Sequence, residues 1–275
     1  ESGLTNRTIR DNGLFTDEDS LRIPFRDLRG KVNCFTRWRP HKPRTDDRGK
    51  IVKYEQTKGT TTRSYFPASC VNKLREGTGP IVVTEGELKS LALAQLGYTA
   101  IGLTGIYGWK KSGVNALNTD LQKVAWNGRT VYVVFDHDEK PRTRADVDRA
   151  YRGLKRQLTV AGARKIYRVS LPPGPDGGKN GIDDYIQSFG NRQKAKIAFK
   201  KLLKEARPVV TKSNRLTTGN FAKAATKVSG VEWLWPGRIP KAMVTAMSAE
   251  PGVGKSNFAL DIAGYVMEGR PKWPD

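Results

Sequence analysis

IVVTEGELKSLAL, at residues 81–93, and VYVVFDHDE, at residues 131–139, are the two stretches that decide the fold of this chain. Each begins with a short apolar run and then turns abruptly polar. Unbroken apolar runs of this length are typical of strands buried on both faces of a parallel sheet. The acidic residues Glu85, Asp136 and Asp138 follow those runs directly, at the edge where open α/β sheets bind their ligands. We therefore predict an α/β fold with a carboxylate site at one edge of its sheet.

These three carboxylates predict a site for a hard divalent cation. Two aspartates separated by one residue face the same side of an extended segment, and like charges so close together need a neighbouring cation. Oxygen donors without a Cys or His cluster favour Mg²⁺. Two alternatives stay open. Basic side chains could pair with the aspartates instead, and Glu85 could be an ordinary helix cap or ion-pair partner. The basic candidates are Lys140, Arg142 and Arg144.

The chain is strongly basic, with 49 Lys and Arg against 27 Asp and Glu and a formal net charge of +22. Such an excess predicts a polyanionic partner, because Lys and Arg that neutralise phosphates release condensed counterions; a solubility effect is the alternative. No long apolar span is present, so we expect no membrane insertion. Cys34 and Cys70 have no metal-ligand neighbours, and we predict free thiols in a cytoplasmic protein.

The predicted organisation has four parts. Residues 1–75 are turn-rich strands of a small basic α+β subdomain, which includes a strand–turn–strand piece at 53–67. Residues 76–192 alternate strands and helices, which is typical of a parallel sheet. A basic connector at 193–230 precedes a second α/β unit at 231–275. The predicted strands are 81–84, 99–103, 131–135 and 165–171, and the predicted helices are 87–96 and 144–161.

The acidic motifs resemble those of toprim domains, the metal-binding fold of bacterial primases, topoisomerases and some nucleases. The resemblance lies in Glu85-Gly86-Glu87, in the Gly105 turn and in Asp136-x-Asp138. It implies a Rossmann-like parallel sheet in which Glu85, Asp136 and Asp138 surround catalytic Mg²⁺ or Mn²⁺. KNGIDDYI, at residues 179–186, is similar to a later acidic element of primase-like members. Asp183 and Asp184 are therefore candidate secondary metal ligands, with capping of the following helix as the alternative.

The N-terminal segment is similar to the basic subdomain that precedes toprim in bacterial-type primases. LRIPFRDLRGKVNCFTRWRP, at 21–40, and Lys53-Tyr54 carry the likeness. It implies that Arg37, Arg39 and Lys53 line a groove for nucleic-acid phosphates, which Arg binds as a fork and Lys as a point charge. Tyr54 could stack on bases or pack in a core. Lys89 completes the predicted nucleic-acid contacts.

AEPGVGKS, at residues 249–256, is a phosphate-binding loop between a predicted strand at 243–247 and a predicted helix at 257–267. Gly252, Gly254, Lys255 and Ser256 are its expected nucleotide contacts, with backbone amides and Lys255 on ATP phosphates and Ser256 on Mg²⁺. The segment resembles the opening of RecA-like ATPases, close to hexameric replicative helicases of plasmids and phages. The chain starts with Glu1 and stops at Asp275, so we interpret this unit as truncated.

Together these features predict a primase–helicase fragment from a mobile element. The predicted reaction is metal-dependent nucleotidyl transfer that makes primers on single-stranded DNA from nucleotides. An ATP-driven helicase, which could assemble as a hexamer through its full ATPase domain, would follow in the parent protein. Two alternatives remain. The toprim-like domain could be a non-catalytic DNA-binding module attached to the helicase, or it could be a nuclease.

Overall fold

A computed structural model describes residues 3–47, 49, 51–111, 113–206, 232–235, 239–240 and 254–269. The chain separates into two compact units, Glu1–Val210 and Thr211–Asp275. Within the residues that the structure describes, no helix combines the length and the apolar character needed to cross a bilayer.

The N-terminal part of the first unit is an antiparallel sheet preceded by helix α1, Asn6–Asp11. Its strands lie in the order β1-β2-β3-β4. The Asp27 carboxylate closes the turn between the two long strands by accepting hydrogen bonds from the backbone N–H groups of Arg29 and Lys31, at 2.9 and 3.0 Å. The strands are β1 Phe15–Thr16, β2 Ser20–Arg26, β3 Val32–Pro40 and β4 Glu55–Gln56.

The centre of the first unit is a five-stranded sheet with the order β5-β7-β6-β8-β9. The pairs β6–β7, β6–β8 and β8–β9 are parallel, which confirms the predicted parallel sheet. The predicted strand–turn–strand piece at 53–67 is split: β4 joins the antiparallel sheet, whereas β5 pairs with β7. The strands are β5 Ser64–Tyr65, β6 Ile81–Glu85, β7 Ala100–Leu103, β8 Thr130–Val134 and β9 Lys165–Val169.

Helices cover both faces of this sheet, which explains why β6, β7 and β8 are largely apolar. Ile81 and Val83 pack on one face with α2 and α4, and Val82 packs on the other face with α3, α5 and α6. Helix α4 starts earlier than predicted because Pro141 occupies its first turn, where a missing N–H costs nothing. The helices are α2 Val71–Glu76, α3 Glu87–Gln95, α4 Pro141–Val160, α5 Ile182–Gln187 and α6 Arg192–Glu205.

The described part of the second unit consists of an antiparallel strand pair, β10 Trp233–Trp235 and β11 Ile239–Pro240, and helix α7, Lys255–Met267. Helix α7 begins two residues before the predicted start. The predicted strand at 243–247 and the loop residue Gly252 lie outside the described residues.

Candidate active site

The three predicted carboxylates line the same cleft at the carboxyl edge of the parallel sheet. Glu85 is the last residue of β6, and Asp136 and Asp138 follow the neighbouring strand β8. The cleft has a volume of about 590 Å³, and the turn from Thr104 to Gly108 forms another of its walls. The structure therefore brings Glu85, Asp136 and Asp138 together at the edge where the sequence predicted a site.

A backbone bridge fixes the Asp-His-Asp segment. The His137 N–H donates to the Asn180 carbonyl at 2.9 Å, and the Asn180 N–H donates back to His137 at 3.1 Å. The Asn180 side chain is itself anchored by a 2.9 Å hydrogen bond to the Pro172 carbonyl. Because His137 is extended and paired, the carboxylates on either side of it point toward the same cleft.

Two lysines neutralise Asp136. Lys89 Nζ, which projects from α3, contacts both carboxylate oxygens and lies 2.6 Å from Oδ2. Lys179 Nζ lies 3.3 Å from Oδ2 and is far more exposed. The basic residues that we considered as partners do not form ion pairs with these aspartates in the described part of the chain. The Lys140 backbone N–H donates to Asp138 Oδ1 at 2.9 Å, and Arg144 Nε donates to the Asp138 carbonyl at 3.0 Å.

Glu85 has a different environment from Asp136. Its carboxylate makes no hydrogen bond or ion pair with any residue that the structure describes. Burial raises the pKa of Glu85, and the negative charge of Asp136 raises it further. Burial acts to lower the pKa of Lys89, but the charge and hydrogen bond of Asp136, together with the charges of Asp183 and Glu85, outweigh that effect, so its net pKa is raised. Glu85 thus makes no ion pair within the described residues, whereas Asp136 makes two; the charges of Lys89 and Lys179 act on Glu85 only by opposing the rise of its pKa.

Asp183 and Asp184 lie at the start of α5 and differ in role. Asp184 Oδ2 accepts the Gly181 backbone N–H at 3.3 Å, which is the capping contact that we left open as an alternative. Asp183 Oδ1 is buried without a hydrogen-bond partner among the described residues. Burial raises the pKa of Asp183, and the nearby charge of Lys89 acts in the opposite direction. Asp183 therefore faces Lys89, whereas Asp184 caps its own helix.

The donor set fits Mg²⁺ or Mn²⁺ in chemical type, because every candidate ligand atom is a carboxylate oxygen. Glu85 offers oxygens that no described side chain contacts, and Asp136 lines the same cleft. No group of three or more His, Cys, Asp or Glu residues within the described ranges is already close enough to hold a metal ion. Metal binding would thus require the carboxylates to approach one another.

The predicted nucleic-acid contacts fall into separate places. The Arg37 guanidinium binds the buried carboxylate of Glu87 and lies over the Tyr54 ring, 5.1 Å from its centroid. Arg39 and Lys53 line another cleft of about 710 Å³, whose other walls are largely apolar. Lys89 is in the carboxylate site. The structure does not bring these five residues into a single groove.

Some residues at the site were not predicted. Lys179 belongs to the loop PPGPDGGKNG at 172–181, and a lysine inside a Gly-rich loop directly before an acidic element was the available signal. Glu87 was noted only as part of the acidic motif, yet it is the partner of Arg37. Gly108 closes the turn in the cleft wall so tightly that a Cβ there would lie 2.6 Å from the Thr104 nitrogen.

The phosphate-binding loop is described only at its end. Gly254 has φ +83°, a left-handed conformation that favours glycine, and it immediately precedes α7. Ser256 lies in the first turn of that helix and is exposed. Lys255 starts the helix, and its side chain lies outside the described part of the chain, as does Gly252.

Two family models match parts of the chain. Residues 73–193 match the family described as "Domain of unknown function (DUF3854)", which covers the parallel strands β6 to β9 and the carboxylate site. Residues 210–275 match a family described as "AAA domain". An uncharacterized protein of Picosynechococcus sp. (strain ATCC 27264 / PCC 7002 / PR-6) is 30% identical over 191 residues, which is 65% of this chain. The chain spans only 18% of the length of that relative.

Similar solved structures include bacterial primases. The Aquifex aeolicus primase (zinc-binding and RNA polymerase domains) is 18% identical, with a TM-score of 0.47 over 78% of this chain and 50% of that one. The RNA polymerase domain of Mycobacterium tuberculosis primase DnaG is 18% identical, with a TM-score of 0.46 over 83% of this chain and 69% of that one. At these scores, the likeness does not assign an activity to this chain.

Proposed function

We propose that this chain is the priming part of a primase–helicase and catalyses metal-dependent nucleotidyl transfer on single-stranded DNA. The observation that carries the proposal is the convergence of Glu85, Asp136 and Asp138 on one cleft at the carboxyl edge of a parallel sheet. The toprim-like spacing of these residues and the basic charge of the chain agree with it.

In this proposal, Glu85 and Asp136 would hold Mg²⁺ or Mn²⁺ in the cleft that both line, and Asp138 would supply a further oxygen. The bound ion would activate the primer 3′-hydroxyl and stabilise the negative charge of the pyrophosphate leaving group. Lys179 is exposed at the same cleft, so its ammonium group can meet the phosphates of an entering nucleotide. The backbone bridge between His137 and Asn180 would keep both aspartates directed toward the cleft.

The template would be held by basic residues outside the carboxylate site. Arg39 and Lys53 share a cleft with apolar walls. Such a cleft suits single-stranded DNA, because the cations can bind its phosphates and the apolar side chains can pack against its bases. The net charge of +22 supports a polyanionic partner of this kind.

The second unit would belong to an ATP-driven helicase in a longer protein. Support comes from the match of residues 210–275 to the AAA-domain family and from the AEPGVGKS loop. Lys255 and Ser256 would contact ATP phosphates and Mg²⁺ there, and a hexameric ring is the assembly we propose for the full ATPase. Hydrolysis requires groups that position the attacking water in addition to this loop.

A non-catalytic DNA-binding module is the second candidate, and the two lysines on Asp136 favour it. Lys89 and Lys179 already neutralise the aspartate that a catalytic metal would need. In that case, the carboxylates would be dispensable for function, and the domain would only guide single strands to the helicase.

Primer synthesis separates the candidates. The chain, and a longer protein that contains it, are incubated with single-stranded template, ribonucleotides and Mg²⁺ or Mn²⁺. We expect metal-dependent oligonucleotides, with Asp136→Asn and Asp138→Asn each lowering the yield about a hundredfold or more. Asp11→Asn, an exposed carboxylate of α1, is the matched control and should be neutral.

Two results would reject the polymerase function. One is the absence of oligonucleotides from the wild type with every metal. The other is an equal yield from Asp136→Asn and the wild type. If the wild type makes no primer, and DNA affinity and helicase activity of the longer protein survive both aspartate substitutions, the binding module is correct. Metal-dependent nicks in plasmid DNA without primer synthesis would identify a nuclease.

A further inference from the structure

Lys89 neutralises Asp136, one of the carboxylates that the proposed metal site needs. Its ammonium group contacts both oxygens of the Asp136 carboxylate, and its side chain is mostly buried. A divalent ion that binds Asp136 therefore competes with Lys89 for these oxygens. The more exposed Lys179 lines the cleft and reaches only Oδ2, at 3.3 Å.

The surrounding backbone is shaped around the Lys89 side chain. Gly181 lies beside it, and a Cβ at that position would be 2.9 Å from Lys89 Cε and 2.6 Å from Asp183 Oδ1. A side chain at residue 181 would force the flexible ends of Lys89 and Asp183 to shift, so glycine at this position leaves room for both. Only 19% of the Lys89 side chain is exposed, so the lysine is packed rather than held by a surface contact.

A second acceptor for Lys89 lies next to the same glycine. Asp183 Oδ1 is buried and has no hydrogen-bond donor among the described residues. A buried carboxylate oxygen without a donor costs free energy, so an ammonium group that turned toward it would be stabilised. Lys89 thus has one carboxylate that it contacts now and another that is unsatisfied nearby.

We propose that Lys89 is an internal counter-cation of the carboxylate site, which a divalent metal has to displace from Asp136 toward Asp183 in order to bind. The inference rests on the proposed metal-dependent function. The proposed displacement gives Lys89 a positioning role instead of the predicted contact with nucleic acid. Asp183 then accepts the displaced lysine instead of binding the metal.

The affinity of the 275-residue chain for Mn²⁺, measured by calorimetry or by electron paramagnetic resonance of the free ion, tests the proposal without any reaction. Lys89→Met keeps a side chain of similar length and removes the positive charge that competes with the metal ion for Asp136. We expect Mn²⁺ to bind about tenfold more tightly, since a hydrogen bond to a charged group contributes about 1.5 kcal/mol or more. Lys179→Met is the matched control, because it removes the same charge from the same aspartate at an exposed position, and we expect a change of less than about threefold.

The role of Asp183 is tested by a double-mutant cycle. Asp183→Asn alone should weaken Mn²⁺ binding, because the displaced lysine loses its acceptor. In the Lys89→Met background, the same substitution should have no effect on the affinity. Weakening by an equal factor in both backgrounds would show that Asp183 is a metal ligand and would overturn this part of the proposal.

The remaining outcomes separate the lysine proposal from the proposed function. The first case is that Asp136→Asn abolishes Mn²⁺ binding. If Lys89→Met then binds Mn²⁺ no more tightly than the wild type, the lysine proposal is overturned. Equal tightening in both lysine variants also overturns it, because that is an effect of net charge. If Asp136→Asn leaves the affinity unchanged, the ion binds elsewhere and the metal site itself is rejected. Should Lys89→Met fail to fold, Lys89→Gln is measured in the same way.

Discussion

Arg37 on β3 and Glu87 in the first turn of α3 form an ion pair in which both side chains are largely buried. The pair joins the antiparallel sheet to the helix that carries Lys89. The Arg37 guanidinium also lies over the Tyr54 ring, and Glu87 Oε2 has no hydrogen-bond partner among the described residues. Arg37 therefore has a structural role, because its ion pair links β3 to α3 within the first unit.

We expect Arg37→Met to lower the free energy of unfolding by about 3–5 kcal/mol, because it leaves the Glu87 charge buried without a partner. The double variant Arg37→Met/Glu87→Leu should recover much of that loss. Urea denaturation of the three proteins measures both effects. A folded Arg37→Met protein with unchanged stability and weakened DNA binding would show instead that Arg37 is a phosphate contact.

The raised pKa of Glu85 predicts that the stability of the metal-free protein depends on pH. Folding raises the pKa of this carboxyl above its ordinary value of 4.5, chiefly through burial. The folded state therefore binds the proton more tightly than the unfolded state, and the contribution of Glu85 to stability falls as the pH rises from 4.5 through the raised pKa.

Accordingly, Glu85→Gln should be more stable than the wild type on the alkaline side of this window, and the difference should shrink as the pH falls toward 4.5. Chemical denaturation at a series of pH values, with a chelator present, provides the measurement. A Glu85→Gln protein that is less stable than the wild type at neutral pH would mean that the charged carboxylate has a stabilising partner.

The turn at Gly108 should tolerate no side chain. A Cβ there would meet the Thr104 nitrogen at 2.6 Å and the Gly105 carbonyl oxygen at 3.0 Å, both of them backbone atoms that cannot move aside cheaply. We expect Gly108→Ala to lower the free energy of unfolding by about 1–3 kcal/mol and to reduce primer synthesis, because this turn lines the carboxylate cleft.

Gly178→Ala is the matched control for that substitution. A Cβ at Gly178 meets no atom within 4 Å, and the residue lies in the loop that carries Lys179. Its stability should stay within about 0.5 kcal/mol of the wild type. Equal losses in the two variants would show that the close approach at Gly108 has no special cost.

DNA binding through Arg39 and Lys53 should be visible in its salt dependence. Each lost phosphate contact lowers the slope of log affinity against log salt by about 0.7 for a single strand. Arg39→Gln/Lys53→Gln should therefore weaken binding and reduce the slope, as fluorescence anisotropy over a salt series can measure. Lys194→Gln/Lys200→Gln removes the same charge from exposed positions on α6. Equal effects of the two pairs would mean that only net charge matters.

The sequence predicted the carboxylate edge because the relevant signals are local. Glu85 ends β6, and Asp136 follows β8 after one residue, so each carboxylate lies at the end of a mostly apolar run. The partners of Asp136 could not be predicted in that way. Lys89 is 47 residues away from Asp136 and reaches it only because β6 and β8 are neighbours in the sheet.

Short helices and strands also could not be predicted from the sequence patterns. Helix α2, Val71–Glu76, was missed because one and a half turns show too little apolar periodicity. Strand β5 is two residues long, and nothing local indicates that Ser64 and Tyr65 pair with β7 rather than with the strand before them. Their positions depend on long-range packing.

The most direct measurement of the central claim is anomalous diffraction at the manganese edge from crystals of the chain soaked in Mn²⁺. We predict an anomalous peak in the cleft, about 2.1 Å from carboxylate oxygens of Glu85 and Asp136, with Lys89 Nζ moved from Asp136 toward Asp183. Crystals in which Lys89 still contacts both oxygens of Asp136, with no peak in the cleft at saturating Mn²⁺, would contradict the claim that these carboxylates form a metal site.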